Sequence, residues 1–176
     1  MSTSSADRSA VAARKPVRSG PQGGSRTRRR SAAGLQLAVQ LATRARDLPT
    51  ESTLRRWAGA SIAGAAVVTV RIVDRPEARR LNRAYRGSDH ATNVLSFPYD
   101  SPRGAICGDI VLCAPLIRRE ASDQRKSLKA HFAHLLVHGL LHLQGYHHGE
   151  SRAARKMETL ETEVLKKLGY PDPYRG

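Results

Sequence analysis

The stretch His131–His148, HFAHLLVHGLLHLQGYHH, decides how the rest of the chain is arranged. Histidines stand at positions 131, 134, 138 and 142, and these steps of three and four residues place them on one face of a helix. Six of the seven histidines of the 176-residue chain fall within this stretch. Because a buried imidazole needs partners for both ring nitrogens, it is a costly way to build an ordinary core. The cluster therefore predicts a metal site.

The spacing singles out one ligand set. His138 and His142 are one helical turn apart, so their rings can meet at a single ion. Gly145 lets the chain turn back after the helix, and His148 can then supply a third nitrogen. Three protein ligands leave a fourth position open, which is typical of catalytic zinc sites. Imidazole ligands without thiolates favour zinc, one ion per chain.

Three further histidines have less certain places around this site. His131 and His134 precede the loop that must return the third ligand, so we expect them to orient a ligand or contact the substrate. His147 is adjacent to His148 and points in a different direction in an extended turn. The spacing favours His148 as the ligand but does not exclude His147.

The residue after the first ligand restricts the chemistry. The same histidine spacing occurs in the metzincin proteases, H-E-x-x-H-x-x-G-x-x-H, where the Glu is the general base. Here that position is Gly139, which cannot transfer a proton. The pattern therefore argues against peptide hydrolysis, although a hydrolase of another substrate, a protease included, stays an alternative.

Phosphodiester cleavage fits the residues better. It needs a nucleophile and a group that stabilises the phosphate oxygens as they gain negative charge. Arg86, which ends a predicted helix just before a polar loop, is the candidate for that second task, since a guanidinium can grip two phosphate oxygens. The alternative is a solvated arginine that stabilises the helix dipole. Both water and a ribose 2′-hydroxyl remain possible nucleophiles.

The charge of the chain indicates a polyanionic partner. The formal net charge is +15, from 30 basic and 15 acidic residues. Residues 1–33 hold eight basic groups and one acid, are rich in Ser, Arg, Ala, Gly and Pro, and are predicted to be a disordered basic tail. The remaining 22 basic groups and 14 acids keep residues 34–176, predicted as a single domain, basic as well. Nucleic acid is favoured over an anionic membrane surface, and a merely basic soluble protein is the alternative.

No feature of the sequence predicts a membrane or secreted protein. No apolar run approaches the ~20 residues needed to span a bilayer, and no signal-peptide core follows the basic start. Cys107 and Cys113 stand too far apart in one predicted strand to form a disulfide. We therefore expect a cytoplasmic protein, although an Arg- and Ser-rich N-terminus is also typical of organelle transit peptides.

Hydrophobic periodicity predicts an α+β fold, a four-stranded sheet packed with about five helices, with the metal site at the end of a central helix. The predicted strands cover Leu35–Leu41, Ala66–Val73, Val94–Phe97 and Gly108–Ala114. Three of the predicted helices begin near Pro49, Asp74 and Pro115, and the other two cover Ser127–Leu143 and Ser151–Leu168.

Two motifs together resemble the YbeY family of bacterial zinc-dependent endoribonucleases. HGLLHLQGYHH (138–148) resembles the family signature H-G-x-x-H-L-x-G-Y-D-H, and RGSDHATNVLSFP (86–98) resembles the segment R-G-x-D-x-x-T-N-V-L-S-F-P. Shorter matches are GDI (108–110), METLE (157–161) and GYPDPY (169–174). The resemblance covers roughly residues 35–174 and leaves the basic tail outside.

The resemblance implies an α+β fold around a small mixed four-stranded sheet, and it implies a role for each matched residue. His138, His142 and His148 would be the zinc ligands, and Arg86 would be the arginine associated with catalysis. The implied activity is cleavage of single-stranded RNA, with maturation of the 3′ end of small-subunit ribosomal RNA and a part in ribosome quality control. Ribosomal RNA and the ribosome or its proteins would be the partners.

One residue departs from the family pattern. His147 stands where the family usually has Asp, so a hydrogen bond made by that carboxylate is in doubt. The remaining alternative to an enzyme is a non-catalytic ribosome-assembly factor that binds RNA through its basic surface and holds a structural zinc.

Overall fold

A computed structural model of the protein describes residues 34–101, 104–147, 149 and 151–175. The basic tail predicted for residues 1–33 and the third predicted ligand, His148, lie outside the described residues. The predicted α+β class is confirmed, with a mixed sheet of four strands and five helices in the described part of the chain.

The sheet has the strand order β1-β2-β4-β3. β1 and β2 are parallel, β2 and β4 are parallel, and β3 pairs antiparallel with β4. The strand bounds are β1 Leu35–Ala42, β2 Ala66–Val73, β3 Val94–Tyr99 and β4 Ile106–Cys113. The prediction began β4 two residues late, because the ladder with β2 already starts where Ala66 lies opposite Ile106.

The helices cover the two faces of this sheet unequally. Their bounds are α1 Glu51–Ser61, α2 Arg75–Arg86, α3 Ala114–Asp123, α4 Leu128–Leu143 and α5 Ser151–Lys167. Because successive side chains of a strand point to opposite faces, Ile110 and Leu112 join the large core with α1, α4 and α5, whereas Val111 joins a small cluster with Ala78 of α2. The large core therefore lies on the face that carries α4.

α4 is the central helix of the protein. Twelve of its 16 residues are buried, since it packs against β3 and β4 and also contacts α1, α3 and α5. The side chain of Ser127 caps its first turn by accepting a hydrogen bond from the backbone N–H of Ala130. A helix buried on most sides can carry histidines only where another element supplies their partners.

No helix in the described part of the chain is long and apolar enough to cross a membrane.

Two glycines allow α4 to lie close to the sheet. A Cβ atom at Gly139 would stand 3.1 Å from the Ser96 hydroxyl and 3.2 Å from Ile110 side-chain atoms. On the strand side, a Cβ atom at Gly108 would stand 2.6 Å from a Leu143 methyl and 2.6 Å from the Phe97 carbonyl oxygen. The side of α4 at residue 139 therefore faces the sheet, and a larger residue there would push the helix away from it.

We expect Gly108→Ala to destabilise the protein by about 1–3 kcal/mol, because the new methyl group collides with a backbone carbonyl that cannot move alone. Gly59→Ala in α1 is the matched control. Nothing lies within 4 Å of a Cβ atom at Gly59, so alanine should raise helix stability by up to about 1 kcal/mol. Urea unfolding of both variants measures the difference. Equal stabilities would contradict the close contact at Gly108.

Candidate metal centre

The last two turns of α4 hold the two histidines that the sequence singles out. His138 and His142 are 1% and 4% exposed, so neither imidazole is hydrated as a surface side chain would be. After the helix, Gly145 has a φ of 89°, which turns the chain as its place in the sequence predicts.

The geometry of this pair suits a metal ion. The Nε2 atoms of His138 and His142 lie 3.0 Å apart, and their ring planes are inclined at 77°. Two nitrogen ligands of one tetrahedral zinc ion lie about 3.3 Å apart, given zinc–nitrogen bonds of about 2.0–2.1 Å. The two nitrogens are therefore close to the separation that a shared ion requires.

The opposite nitrogen of His138 is held by a buried carboxylate. Its Nδ1 lies 2.6 Å from Oε1 of Glu161 in α5, and Glu161 is fully buried. The other oxygen, Oε2, lies 3.4 Å from Nε2 of His134 and accepts a hydrogen bond from the Tyr174 hydroxyl. Burial by itself raises the pKa of Glu161, but the nearby His134 ring and the hydrogen bond from His138 outweigh it and hold the pKa well below its usual range. The carboxylate is therefore ionised and fixes the orientation of the His138 ring.

Glu161 also belongs to a second group that could hold a metal ion. Ligand atoms of His134, His138 and Glu161 all lie within 4.8 Å of one another. The 2.6 Å contact between His138 and Glu161 is a hydrogen-bond distance, shorter than the separation of two ligands on one ion. Carboxylates commonly occupy this place behind a metal-binding histidine, which favours Glu161 as the orienting partner.

Glu161 was not predicted as a site residue from the sequence, although the hydrophobic pattern of α5 indicates that its carboxylate is buried. Glu161 stands four residues after Met157 and four before Leu165, and both of these side chains are buried. A carboxylate on the apolar face of an amphipathic helix needs a buried partner. The partner is the side of α4 that carries His131, His134, His138 and His142, which we call the histidine face.

His131, at the other end of α4, contacts a different carboxylate. Its Nε2 lies 2.8 Å from Oε2 of Glu120 in α3, and the side-chain amide of Asn93 donates to both oxygens of Glu120 at 3.0 and 3.2 Å. Burial raises the pKa of Glu120, but the hydrogen bonds from His131 and Asn93 outweigh it and leave the pKa lowered. This contact joins α3 and α4 to the start of β3.

The two other histidines of the predicted site lie in different surroundings, His134 on α4 between His131 and His138, and His147 at the surface. His134 lies between the other two, with ring centroids 6.2 Å from His131 and 6.3 Å from His138. His147 is exposed, so it does not share the buried surroundings of His138 and His142.

Arg86 ends α2, as predicted. Its side chain is partly buried, and burial lowers the pKa of the guanidinium to about 10, so it stays charged at neutral pH. Its Nε is buried and has no hydrogen-bond partner in the part of the chain that the structure describes.

An α+β protein with paired imidazoles at the end of a buried helix, and an ionised carboxylate behind one of them, has the arrangement of a metal-dependent hydrolase. The family model described as "Endoribonuclease YbeY" matches residues 41–169. An endoribonuclease YbeY of Aromatoleum aromaticum is 55% identical over 145 residues, covering 82% of this chain and 93% of the relative. That of Nitrosospira multiformis is 50% identical over 170 residues, covering 89% of each chain. The protein belongs to the YbeY endoribonuclease family.

A solved solution structure of a Thermotoga maritima protein is also similar. It is 23% identical, and the match covers 80% of this chain and all of that one with a TM-score of 0.48. At this level the likeness indicates nothing about activity.

Glu120→Gln should destabilise the protein by about 1.5 kcal/mol at pH 7, because hydrogen bonds to an ionised carboxylate become bonds to a neutral amide. A lowered folded-state pKa gives stability that is present above the unfolded-state pKa and is lost as pH falls through the folded-state value. The difference between the two proteins should therefore shrink below about pH 4.5. Urea unfolding at several pH values measures it.

The exposed Glu163 on α5 provides the matched control, since Glu163→Gln removes the same charge. This variant should change stability by less than about 0.5 kcal/mol at every pH. A Glu120→Gln deficit that is the same in acid and at neutral pH would show that the carboxylate charge is not what joins α3 to α4.

Proposed function

We propose that the protein is a zinc-dependent endoribonuclease that cuts single-stranded RNA and matures the 3′ end of small-subunit ribosomal RNA in the cytoplasm, with a part in ribosome quality control. The observation that carries this proposal is the 3.0 Å approach of the His138 and His142 Nε2 atoms, with Glu161 on the far side of His138. Family membership supports the reaction class.

His138, His142 and His148 are the proposed ligands of one zinc ion. The first two present imidazole nitrogens at nearly the separation that zinc requires. Sequence spacing supports His148 as the third ligand, since it follows the turn at Gly145. A zinc ion with three protein ligands supplies Lewis acidity and lowers the pKa of a coordinated water to about 7.

The residues around the proposed ligands have separate tasks. Glu161 accepts a hydrogen bond from His138 Nδ1, which would leave Nε2 free of hydrogen and available to a metal ion. The hydroxyl of Tyr174 donates to the same carboxylate and helps to hold it. His134 lies beside this carboxylate and extends the polar face of α4 toward the substrate.

Arg86 is the proposed phosphate-binding residue. A half-buried guanidinium with a donor that has no partner among the described residues is well suited to donate hydrogen bonds to phosphate oxygens as they gain charge. Its planar fork would hold two oxygens at once, which a lysine ammonium cannot do. The positive charge of residues 34–176 adds general attraction for RNA, and ribosomal RNA with the ribosome or its proteins are the proposed partners.

The zinc affinities of three variants should distinguish the proposed ligands, His138, His142 and His148, from the group of His134, His138 and Glu161. We expect His142→Ala to abolish tight zinc binding, His134→Ala to retain it, and Glu161→Gln to weaken it about 10–100-fold through loss of the orienting hydrogen bond. Calorimetric titration of metal-free protein with zinc measures all three. Loss of binding in His134→Ala with retention in His142→Ala would place the ion in the group of His134, His138 and Glu161 instead.

Cleavage of single-stranded RNA should require both zinc and Arg86. We expect a chelator to abolish cleavage, zinc to restore it, and Arg86→Ala to lower kcat by about 10²-fold with unchanged zinc content. Arg86→Lys should recover little, since it keeps the charge but loses the two-point contact. Arg83→Ala, an exposed charge loss on the same helix, is the control and should cleave normally. Full activity in Arg86→Ala would exclude Arg86 from the reaction.

A further inference from the structure

A cavity of about 480 Å³ lies beside the histidine face, between the α3–α4 turn and the segment that follows α5. Ligand sites for small organic molecules are commonly 300–1,000 Å³ in volume. The cavity reaches His131 and His134 but none of the proposed zinc ligands that the structure describes. It is therefore a neighbour of the proposed metal site and not the same space.

We propose that this cavity binds one nucleotide of single-stranded RNA beside the scissile phosphate, with the base inside and its phosphate at the rim. The inference rests on the proposed RNA-cleaving function. α4 rises about 1.5 Å per residue, so His134 lies only about 6 Å along the helix axis from His138. The cavity is thus within the reach of a nucleotide next to the one being cut.

The charges at the rim favour the phosphate. Arg125 and Arg175 line the cavity, and both are exposed. The N-terminal turn of α4, which begins after Ser127, also borders it, and a helix N-terminus favours an anion. Lys126 closes one side by donating to the carbonyl oxygen of Pro173 at 2.6 Å. Asp172, which also lines the cavity, is 3.5 Å from Arg175 and offsets part of this charge.

The interior suits a base. Ala130, Leu165 and Pro171 provide apolar wall, and His131 provides a polar edge. His131 is 3% exposed, its Nε2 faces the Glu120 carboxylate, and its Nδ1 has no hydrogen-bond partner among the described residues. In the tautomer that donates from Nε2 to the carboxylate, Nδ1 is an acceptor for an N–H group of a base. A buried polar atom of this kind is costly unless a ligand or water satisfies it.

The first test removes the rim charges in the full-length protein. In Arg125→Asn/Arg175→Gln, asparagine suits the positive φ of Arg125, 53°, so the fold should be undisturbed. We expect a single-stranded RNA with a fluorescent label, with chelator present to prevent cleavage, to bind about tenfold more weakly, as loss of charged hydrogen bonds predicts. The slope of log affinity against log salt should fall by about 0.7 for each lost phosphate contact. Arg56→Gln, an exposed charge loss on α1, should leave both unchanged.

The second test concerns the base. His131→Gln keeps a donor for Glu120 but removes the acceptor at Nδ1, and a thermal melt checks that it folds. Given a zinc-loaded enzyme and RNA with random flanking bases, we expect wild type to prefer certain bases at one position beside the cut and His131→Gln to lose that preference.

The two proposals fail in different ways. In one outcome, the wild-type enzyme cleaves RNA, while the Arg125→Asn/Arg175→Gln and His131→Gln variants match the Arg56→Gln control in RNA affinity and in base preference. This outcome overturns the proposal that the cavity binds a nucleotide and leaves the proposed function intact. Equal weakening by the rim variant and Arg56→Gln also overturns it, since any surface charge would then serve. A zinc-loaded wild type that cleaves no single-stranded RNA overturns the proposed function itself.

Discussion

The close packing of α4 on the sheet is the constraint on which the rest of the structure depends. Gly139 on the helix and Gly108 on β4 leave no room for a side chain between the two elements. With one side of α4 against strands and others against α1, α3 and α5, the only buried side chains of α4 that carry polar atoms are its histidines. The same contact explains why a proteolytic base is missing, since position 139 faces Ser96 and Ile110.

The histidine face is stable because two carboxylates from different helices meet it. Glu120 of α3 contacts His131 near the start of α4, and Glu161 of α5 contacts His138 near its end. Each carboxylate has a further donor, Asn93 for the first and Tyr174 for the second. The contacts that His131 and His138 make with these carboxylates add order to the packing of three helices, because a buried imidazole without any partner would destabilise it.

The sequence predicted the parts of the protein whose signal is local. The α+β class followed from hydrophobic periodicity, and the pairing of His138 with His142 followed from helical spacing, because both depend on residues a few positions apart. The mixed character of the sheet was implied only by the family resemblance. Glu161 was missed because its partner His138 is 23 residues away along the chain, and only the packing of α5 on α4 brings them together. The packing role of Gly139 was missed for the same reason: it depends on β3 and β4, which the spacing of α4 does not describe.

The order of the elements along the chain has a consequence for synthesis. The histidine pair lies in α4, but the carboxylate that orients His138 lies in α5, and the tyrosine that holds this carboxylate follows α5. Translation releases the N-terminal part of a chain first, and folding can begin there. The sheet and α4 can therefore form while the chain is still being made, yet the carboxylate behind His138 arrives only with α5 and gains its tyrosine hydrogen bond only when Tyr174 has emerged.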